Sequence, residues 1–218
     1  MESIFRSKND RFLKESFELS SSLNSAFTRF FKNKIETELI VKNQFKKHYD
    51  INGRYNYIPY TTKNFIEKLF SVRKYLISKN KWHFPVKFLD CGCGIGSTLF
   101  IAKKLGYESY GLEIDNNCIK KAKEIFYDLN IKKADILRYK NYKDFDVIYF
   151  FKPLCDDKKE EQFEKYIANK SKVGTIIISA NNNSYVLDSD SRFKKIKINN
   201  NNFYIKIKEE KKNQLLFQ

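Results

Sequence analysis

The sequence offers few of the residues that build metal centres. Its 218 residues include four cysteines and two histidines, and no two cysteines have Cys-x-x-Cys spacing. Because only His48 and His83 could assist the cysteines, we expect no metal site. Cys91 and Cys93 lie within a glycine-rich stretch where small side chains fit, so packing explains them better than redox chemistry does.

Long apolar runs are also lacking. No stretch approaches the roughly 18 consecutive apolar residues of a membrane span, and the first ten residues, MESIFRSKND, lack the apolar centre of a signal peptide. Hydrophobic residues nevertheless make up 42% of the chain and aromatic residues 16%, enough for a sizeable core. We expect a globular α/β domain with an appendage, located in the cytoplasm with reduced thiols.

Acidic residues are fewer than basic ones. The chain has 42 Lys and Arg against 26 Asp and Glu, a net charge of +16, and such a charge favours an anionic partner. The basic residues are nearly all lysine and are scattered through the sequence, whereas clustered arginine with interleaved aromatics is the sharper sign of nucleic-acid binding. RNA therefore stays open as a partner, as does the oligomeric state.

The chain is organised around one β-loop-α-β unit. Residues 86–115 read VKFLDCGCGIGSTLFIAKKLGYESYGLEID, in which an apolar strand ends at Asp90 and a turn with three alternating glycines follows. A helix with apolar residues at helical spacing then leads to Gly106, a predicted C-cap, and to a second strand that ends at Glu113. Open α/β sheets bind ligands at the carboxyl ends of their strands. The glycines would let a ligand approach the backbone, and Glu113 could accept both hydroxyls of a ribose.

Two common nucleotide-binding motifs do not fit this turn. A dinucleotide fingerprint, Gly-x-Gly-x-x-Gly, would need glycine at position 97, but the chain has Ser97 there and its third glycine at Gly96. A P-loop would need Gly-Lys-Ser or Gly-Lys-Thr, which does not follow the turn. The spacing therefore disfavours nicotinamide and flavin dinucleotides and a P-loop nucleotide site.

The pattern resembles the glycine-rich motif of class I S-adenosylmethionine-dependent methyltransferases. In that family an acid ends the first strand, the turn reads close to Gly-x-Gly-x-Gly, and an acid ends the second strand; Asp90, residues 92–96 and Glu113 occupy those places. The resemblance implies a Rossmann-like α/β fold: a seven-stranded, mostly parallel sheet with an antiparallel C-terminal hairpin and helices on both faces. It assigns residues 57–218 to a methyltransferase domain and leaves residues 1–56 as an N-terminal helical extension or lid.

The same resemblance implies which residues hold the cofactor, S-adenosylmethionine. Asp90 would order the turn, whose amides approach the methionine portion, and Glu113 would bind the ribose. Asp135 and Ile136, an acid followed by an apolar residue after the third strand, would hold the adenine. The predicted cofactor-binding residues are Asp90, Cys91, Gly92, Gly94, Glu113, Ile114, Asp135 and Ile136.

The acceptor is expected at the end of the fourth strand, residues 144–151. Methyltransferases of exocyclic amines carry Asn or Asp, Pro, Pro and an aromatic residue there, whereas this chain has Phe151, Lys152, Pro153 and Leu154. Phe151 cannot accept a hydrogen bond and Leu154 cannot stack on a base, which disfavours adenine and glutamine amides as acceptors. The substrate candidates are Phe151 and Lys152, with Tyr57 and Tyr60 from a tyrosine-rich loop.

The predicted function is methyl transfer to a small molecule or a protein side chain. The sulfonium of the cofactor already makes its methyl group electrophilic, so a dedicated base is not required and no catalytic residue is assigned. Tyr57, Tyr60, Lys152 and Asp156 are candidates by position only. An RNA methyltransferase and a non-catalytic cofactor-binding or scaffold protein remain as alternatives.

Periodicity predicts the remaining elements. Residues 1–45 have an amphipathic helical pattern, and residues 181–191 are polar and loop-like. The other predictions are helices over 62–78, 116–129 and 157–169, strands over 131–134 and 174–180, and a hairpin over 192–208.

Overall fold

The structure is a computed structural model of the chain, and it describes residues 62–79, 81, 85–154, 156–180, 183–198 and 200–209. The predicted N-terminal extension, residues 1–56, lies outside the described residues, as do the substrate candidates Tyr57 and Tyr60.

The described residues form a seven-stranded sheet of order β3-β2-β1-β4-β5-β7-β6. Strands β1 to β5 pair in parallel, while β7 is antiparallel to both β5 and β6. Its strands are β1 Val86–Cys91, β2 Tyr107–Glu113, β3 Asn130–Lys133, β4 Val147–Phe150, β5 Ile176–Ser179, β6 Phe193–Ile198 and β7 Asn201–Lys206. Strands β4 and β5 are buried throughout, as expected of central parallel strands covered on both faces. The fold class predicted from the sequence is confirmed.

Helices cover both faces of the sheet. Their bounds are α1 Thr62–Ser78, α2 Ser97–Lys104, α3 Asn116–Ile125, α4 Asp157–Lys170 and α5 Tyr185–Ser189. Helices α1 and α2 bury Phe65 and Leu99 in the core on one face, whereas α4 and α5 bury Phe163 and Leu187 in the core on the other. No helix in this part of the chain combines the length and the hydropathy needed to cross a bilayer.

Two predicted elements differ from the structure. Helix α3 ends at Ile125 because Phe126 turns to an extended φ of −132°, which lets the chain reach β3. The region predicted as a loop, residues 181–191, contains helix α5, which begins because the Ser184 side chain accepts a hydrogen bond from the Leu187 amide. The predicted bounds of α1 agree with the structure.

Candidate active site

The turn between β1 and α2 requires glycine for its backbone shape. Gly92, Gly94 and Gly96 have φ values of 79°, 55° and 81°, all in the left-handed region that strains other residues. Gly96 is also the N-cap of α2. The Gly-x-Gly-x-Gly spacing therefore follows from three alternating left-handed residues.

The space beside two of these glycines is filled by protein. A Cβ atom on Gly92 would lie 2.8 Å from the Cβ of Pro153, and one on Gly96 would lie 2.6 Å from the Cδ1 of Leu129. From the sequence, the missing Cβ atoms were interpreted as making room for a ligand. That interpretation is wrong at these two positions, because other residues of the protein pack into the space. The predicted contact of Gly92 with the cofactor through its backbone stays a prediction.

Glu113 ends β2 with its carboxylate turned toward the glycine-rich turn. Oε2 accepts a hydrogen bond from the Gly94 amide at 2.8 Å, and Oε1 accepts from the amides of Ile114 at 2.7 Å and Asp115 at 2.9 Å. Burial raises the pKa of Glu113, and these three hydrogen bonds oppose that effect. An ionised carboxylate has about four acceptor positions, so three are in use and about one is left. Binding both ribose hydroxyls would require some of these bonds to be shared or exchanged.

Asp90 connects β1 to the first turn of α2. The Thr98 hydroxyl donates to its carboxylate, which is buried. Burial raises the pKa of Asp90 to about 7, the hydrogen bond from Thr98 opposes the rise, and the charge of Glu113 adds to it. The residue that follows, Cys91, is fully buried beside Leu89 in the core that α4 covers.

Asp135 and Ile136 come directly after β3, beside the end of β2. The Ala134 amide donates to the backbone oxygen of Glu113 at 2.9 Å, which brings this segment next to the ribose candidate. Oδ1 of Asp135 accepts from the Leu137 amide at 2.9 Å, while Oδ2 lies 3.7 Å from Nε of Arg138. The Asp135 side chain is about one-third exposed, at 36%, so its carboxylate can still be reached by a ligand.

The end of β4 has an unusual backbone. Among the described residues, Lys152 alone of the non-glycine residues has a positive φ, 40°, and it precedes Pro153, which also restricts its backbone. Glu160, in the first turn of α4, accepts a hydrogen bond from the Leu154 amide at 3.3 Å. Burial raises the pKa of Glu160 to about 7, the charge of Glu164 adds to the rise, and the Lys152 ammonium is among the groups that oppose it. This segment is thus held by Pro153 against the turn and by Glu160 at the helix.

Strand pairing brings the predicted site residues together at one edge of the sheet, the edge formed by the carboxyl ends of its parallel strands. Asp90 lies opposite Gly111 of β2 and Tyr149 of β4, so the carboxyl ends of three neighbouring strands meet there. The amides of Gly92 and Cys93 both donate to the backbone oxygen of Leu112, at 2.8 and 3.1 Å. The residues gathered at this edge are Asp90, Cys91, Gly92, Gly94, Glu113, Ile114, Asp135, Ile136, Phe151 and Lys152.

The roles of three residues of the site were not predicted from the sequence. Thr98 holds Asp90, Pro153 packs on Gly92, and Glu160 holds the segment after β4. The Thr98 hydroxyl, in the first turn of α2, was the local feature from which this contact could have been suspected. The contacts of Pro153 and Glu160 leave no local pattern in the sequence.

Comparison with known proteins agrees with this architecture. Residues 85–216, more than half of the chain, match the family described as a methyltransferase domain. This match confirms the resemblance inferred from the glycine-rich motif. A comparison with curated proteins finds no significant match.

Solved structures of similar fold come from several organisms. An RNA methyltransferase from Salinibacter ruber in complex with S-adenosyl-L-homocysteine is 16% identical with a TM-score of 0.49, over 72% of this chain and 99% of that protein. A magnesium protoporphyrin IX methyltransferase from Synechocystis PCC 6803 with bound SAM is 14% identical with a TM-score of 0.42, over 69% and 85%. An S-adenosylmethionine-dependent methyltransferase from Clostridium acetobutylicum ATCC 824 is 16% identical with a TM-score of 0.43, over 62% and 58%.

The chain spans only 48% to 58% of the length of three of the solved structures that it matches. The family match rests on the sequence itself and extends from the residue before β1 beyond the last strand. The chain therefore belongs to the methyltransferase-domain family.

Proposed function

We propose that this protein transfers a methyl group from S-adenosylmethionine to a small molecule or a protein side chain. The family assignment supports methyl transfer and supports S-adenosylmethionine as the methyl donor. The observation that carries the proposal is the bond between Glu113 and Gly94, because it joins the acid at the end of β2 to the glycine-rich turn. Those are the two parts of the chain that the resemblance assigns to the cofactor.

The residues at the sheet edge fit an adenosyl sulfonium. Oδ2 of Asp135 lies 3.7 Å from Nε of Arg138, which is beyond hydrogen-bond distance. This oxygen can therefore accept a hydrogen bond from the exocyclic amine of the adenine. Glu113 has about one acceptor position left for a ribose hydroxyl. The positively polarised N-terminus of α2 follows the turn, where it would face a carboxylate of the methionine portion. We infer that these groups bind and orient the cofactor.

The cofactor, when bound, supplies a methyl group on a positively charged sulfur, which needs an aligned nucleophile more than it needs a base. The chain contributes alignment. Phe151 and Pro153 place apolar surface at the end of β4, and Lys152 places an exposed ammonium there. We infer that Lys152 orients an acceptor that carries a negative charge, while Phe151 helps to exclude water.

Transfer of label from radioactive S-adenosylmethionine tests the proposal. The purified full-length protein is incubated with labelled cofactor and with separate protein, RNA and small-molecule fractions of a cell extract. Label in the small-molecule or protein fraction supports the proposed acceptor class. Label in the RNA fraction would contradict that acceptor class. It would support the second candidate function, RNA methylation, which the surface described below favours. Cofactor binding without any transfer would assign the chain to the non-catalytic alternative.

A further inference from the structure

A row of tyrosines with a lysine at each end crosses the face of the sheet that α4 covers. The rings of Tyr139 and Tyr142 meet edge to face at 5.2 Å, and those of Tyr142 and Tyr166 at 5.9 Å. Nζ of Lys132 lies 5.5 Å from the centre of the Tyr139 ring, and Nζ of Lys170 lies 5.7 Å from that of Tyr166. We call these five residues the tyrosine row. It links the edge strand β3 to the C-terminal end of α4.

The middle ring fixes the two outer ones. Tyr142 is fully buried, and its hydroxyl donates to the backbone oxygen of Ile136 at 2.7 Å. Tyr139 and Tyr166 are partly exposed, and both pack against the same core. Two aromatic rings are thus held in place with part of their surface in solvent. Rings that are already ordered lose little conformational freedom when a ligand stacks on them.

The surroundings of the row are positively charged. The segment from residue 132 to residue 144 carries five exposed cations and two carboxylates, and one of these carboxylates, Asp135, is near Arg138 at 3.7 Å. The five cations are Lys132, Lys133, Arg138, Lys140 and Lys143. The partly exposed ring of Tyr139 therefore has an exposed cation on each side in the sequence, Arg138 and Lys140, within one short basic segment.

We propose that the tyrosine row and its neighbouring cations bind single-stranded RNA. Unpaired bases stack on aromatic side chains, and lysine or arginine side chains neutralise the phosphates between them. The lysines that now cover Tyr139 and Tyr166 occupy the places where bases would stack, and their long side chains can move to adjacent phosphates. An acidic protein would use the cations but leave the rings unused, so the combination of two partly exposed rings with neighbouring cations favours a nucleic acid.

The row also lies beside the candidate active site. Tyr142 holds the backbone of Ile136, one of the two residues predicted to bind adenine, and Lys132 precedes them in β3. RNA bound to the tyrosine row would therefore extend to the carboxyl end of β3, where the candidate active site lies. RNA binding is independent of the proposed function. RNA as the methyl acceptor would rest on methyl transfer from S-adenosylmethionine and would replace the proposed acceptor class.

Fluorescence anisotropy with a labelled single-stranded RNA of mixed sequence, about 12 nucleotides long, tests the surface. The double variant Tyr139→Ala, Tyr166→Ala should bind about a hundredfold more weakly, because two stacks are lost and each contributes about tenfold. The double variant Tyr139→Phe, Tyr166→Phe keeps both rings and should bind like the wild type. Circular dichroism and thermal unfolding of the alanine variant show whether its loss of binding comes from the rings or from misfolding.

The contribution of positive charge to RNA binding is tested with two matched pairs of lysine substitutions. Lys140→Ala with Lys143→Ala should weaken binding and reduce the slope of log Kd against log salt by about 1.4, since each of the two lost phosphate contacts contributes about 0.7 for a single strand. Lys194→Ala with Lys197→Ala removes the same charge from exposed positions on β6, at the opposite edge of the sheet, and should leave affinity nearly unchanged.

Three results would overturn the proposal: no RNA binding, equal losses in both lysine pairs, or wild-type affinity in the tyrosine-to-alanine variant. The second and third would assign the binding to net charge. Binding to vesicles of phosphatidylcholine and phosphatidylserine but not to RNA would make the surface a membrane contact. Cofactor binding is measured separately, so failure of the RNA surface and failure of the methyltransferase assignment can be told apart.

Discussion

The carboxylate of Glu113 accepts a hydrogen bond from the backbone amide of Gly94 at 2.8 Å. The two residues are 19 positions apart in the sequence, yet the bond joins the end of β2 to the middle of the glycine-rich turn. The amides of Ile114 and Asp115 share the same carboxylate. A residue that was predicted to bind the ribose thus holds the glycine-rich turn in place.

Removal of this carboxylate should destabilise the protein even without cofactor. Glu113→Ala leaves three amides without their acceptor, so we expect the free energy of unfolding to fall by about 1–3 kcal/mol. Urea denaturation measures the change, and amide hydrogen exchange should show loss of protection at Gly94. Asp135→Ala is the matched control, since its side chain accepts one backbone hydrogen bond and is more exposed. Equal effects of the two substitutions would contradict the role of Glu113 in holding the turn.

The contact between Gly92 and Pro153 predicts a difference between two glycine substitutions. Gly92→Ala combines backbone strain, at a φ of 79°, with a Cβ atom only 2.8 Å from that of Pro153. Gly174→Ala has similar strain, at a φ of 92°, but nothing lies within 4 Å of the new atom. Left-handed backbone costs about 1–2 kcal/mol in both variants, and Gly92→Ala should lose more than Gly174→Ala. Thermal unfolding of both variants checks this, and equal losses would mean that the Pro153 side chain moves away at no cost.

Stability should depend on pH through Asp90. Burial raises the pKa of this carboxyl from an ordinary 3.8 to about 7, so between about pH 4 and 7 the folded state binds more protons than the unfolded state. The stabilising contribution is present below the unfolded pKa and is lost as pH rises through about 7, by an amount on the order of a few kcal/mol.

Denaturant unfolding from pH 4 to pH 8 measures this contribution. Asp90→Asn should make the fall in stability with rising pH shallower. Thr98→Val removes the hydrogen bond that opposes the effect of burial, and should make the fall steeper. An unchanged slope in both variants would show that Asp90 does not titrate in this range. Glu160, whose pKa burial also raises to about 7, accounts for part of the slope that remains in Asp90→Asn.

The left-handed backbone of Lys152 predicts an unusual response to glycine. Relief of about 1 kcal/mol of strain offsets the entropy that glycine normally costs, so Lys152→Gly should be at least as stable as the wild type. Lys165→Gly, within helix α4, is the control and should lose about 1 kcal/mol. Differential scanning calorimetry distinguishes the two, and a comparable loss at both positions would contradict the strained conformation.

The features that could be predicted from the sequence are those that depend on residues near one another in the chain. The acids at the ends of β1 and β2, the glycine spacing and the period of α1 each depend on residues close together in the chain, and the predicted fold follows from them. The path of the Glu113 side chain was not predictable, because it depends on how the turn folds back over β2. The packing of Pro153 on Gly92 joins residues far apart in sequence, and no pattern of periodicity records such a contact.

Short and irregular segments were also beyond local reasoning. Helix α5 has only five residues and depends on Ser184, whose hydroxyl donates to Glu164 of α4 at 2.7 Å. An isolated helix of that length is unstable, so the tertiary contact decides whether it forms. The positive φ of Lys152 is likewise imposed by its surroundings, because lysine before proline favours an extended backbone.

Isothermal titration of the full-length protein with S-adenosylmethionine tests the central claim most directly. We predict one-to-one binding by the wild type, weakened at least about tenfold in Asp135→Ala and further in the double variant Glu113→Ala, Asp135→Ala. Asp128→Ala, at an exposed residue paired with Lys103, should bind like the wild type. No detectable binding by the folded wild type, or full affinity in the double variant, would contradict the assignment of this sheet edge to the cofactor.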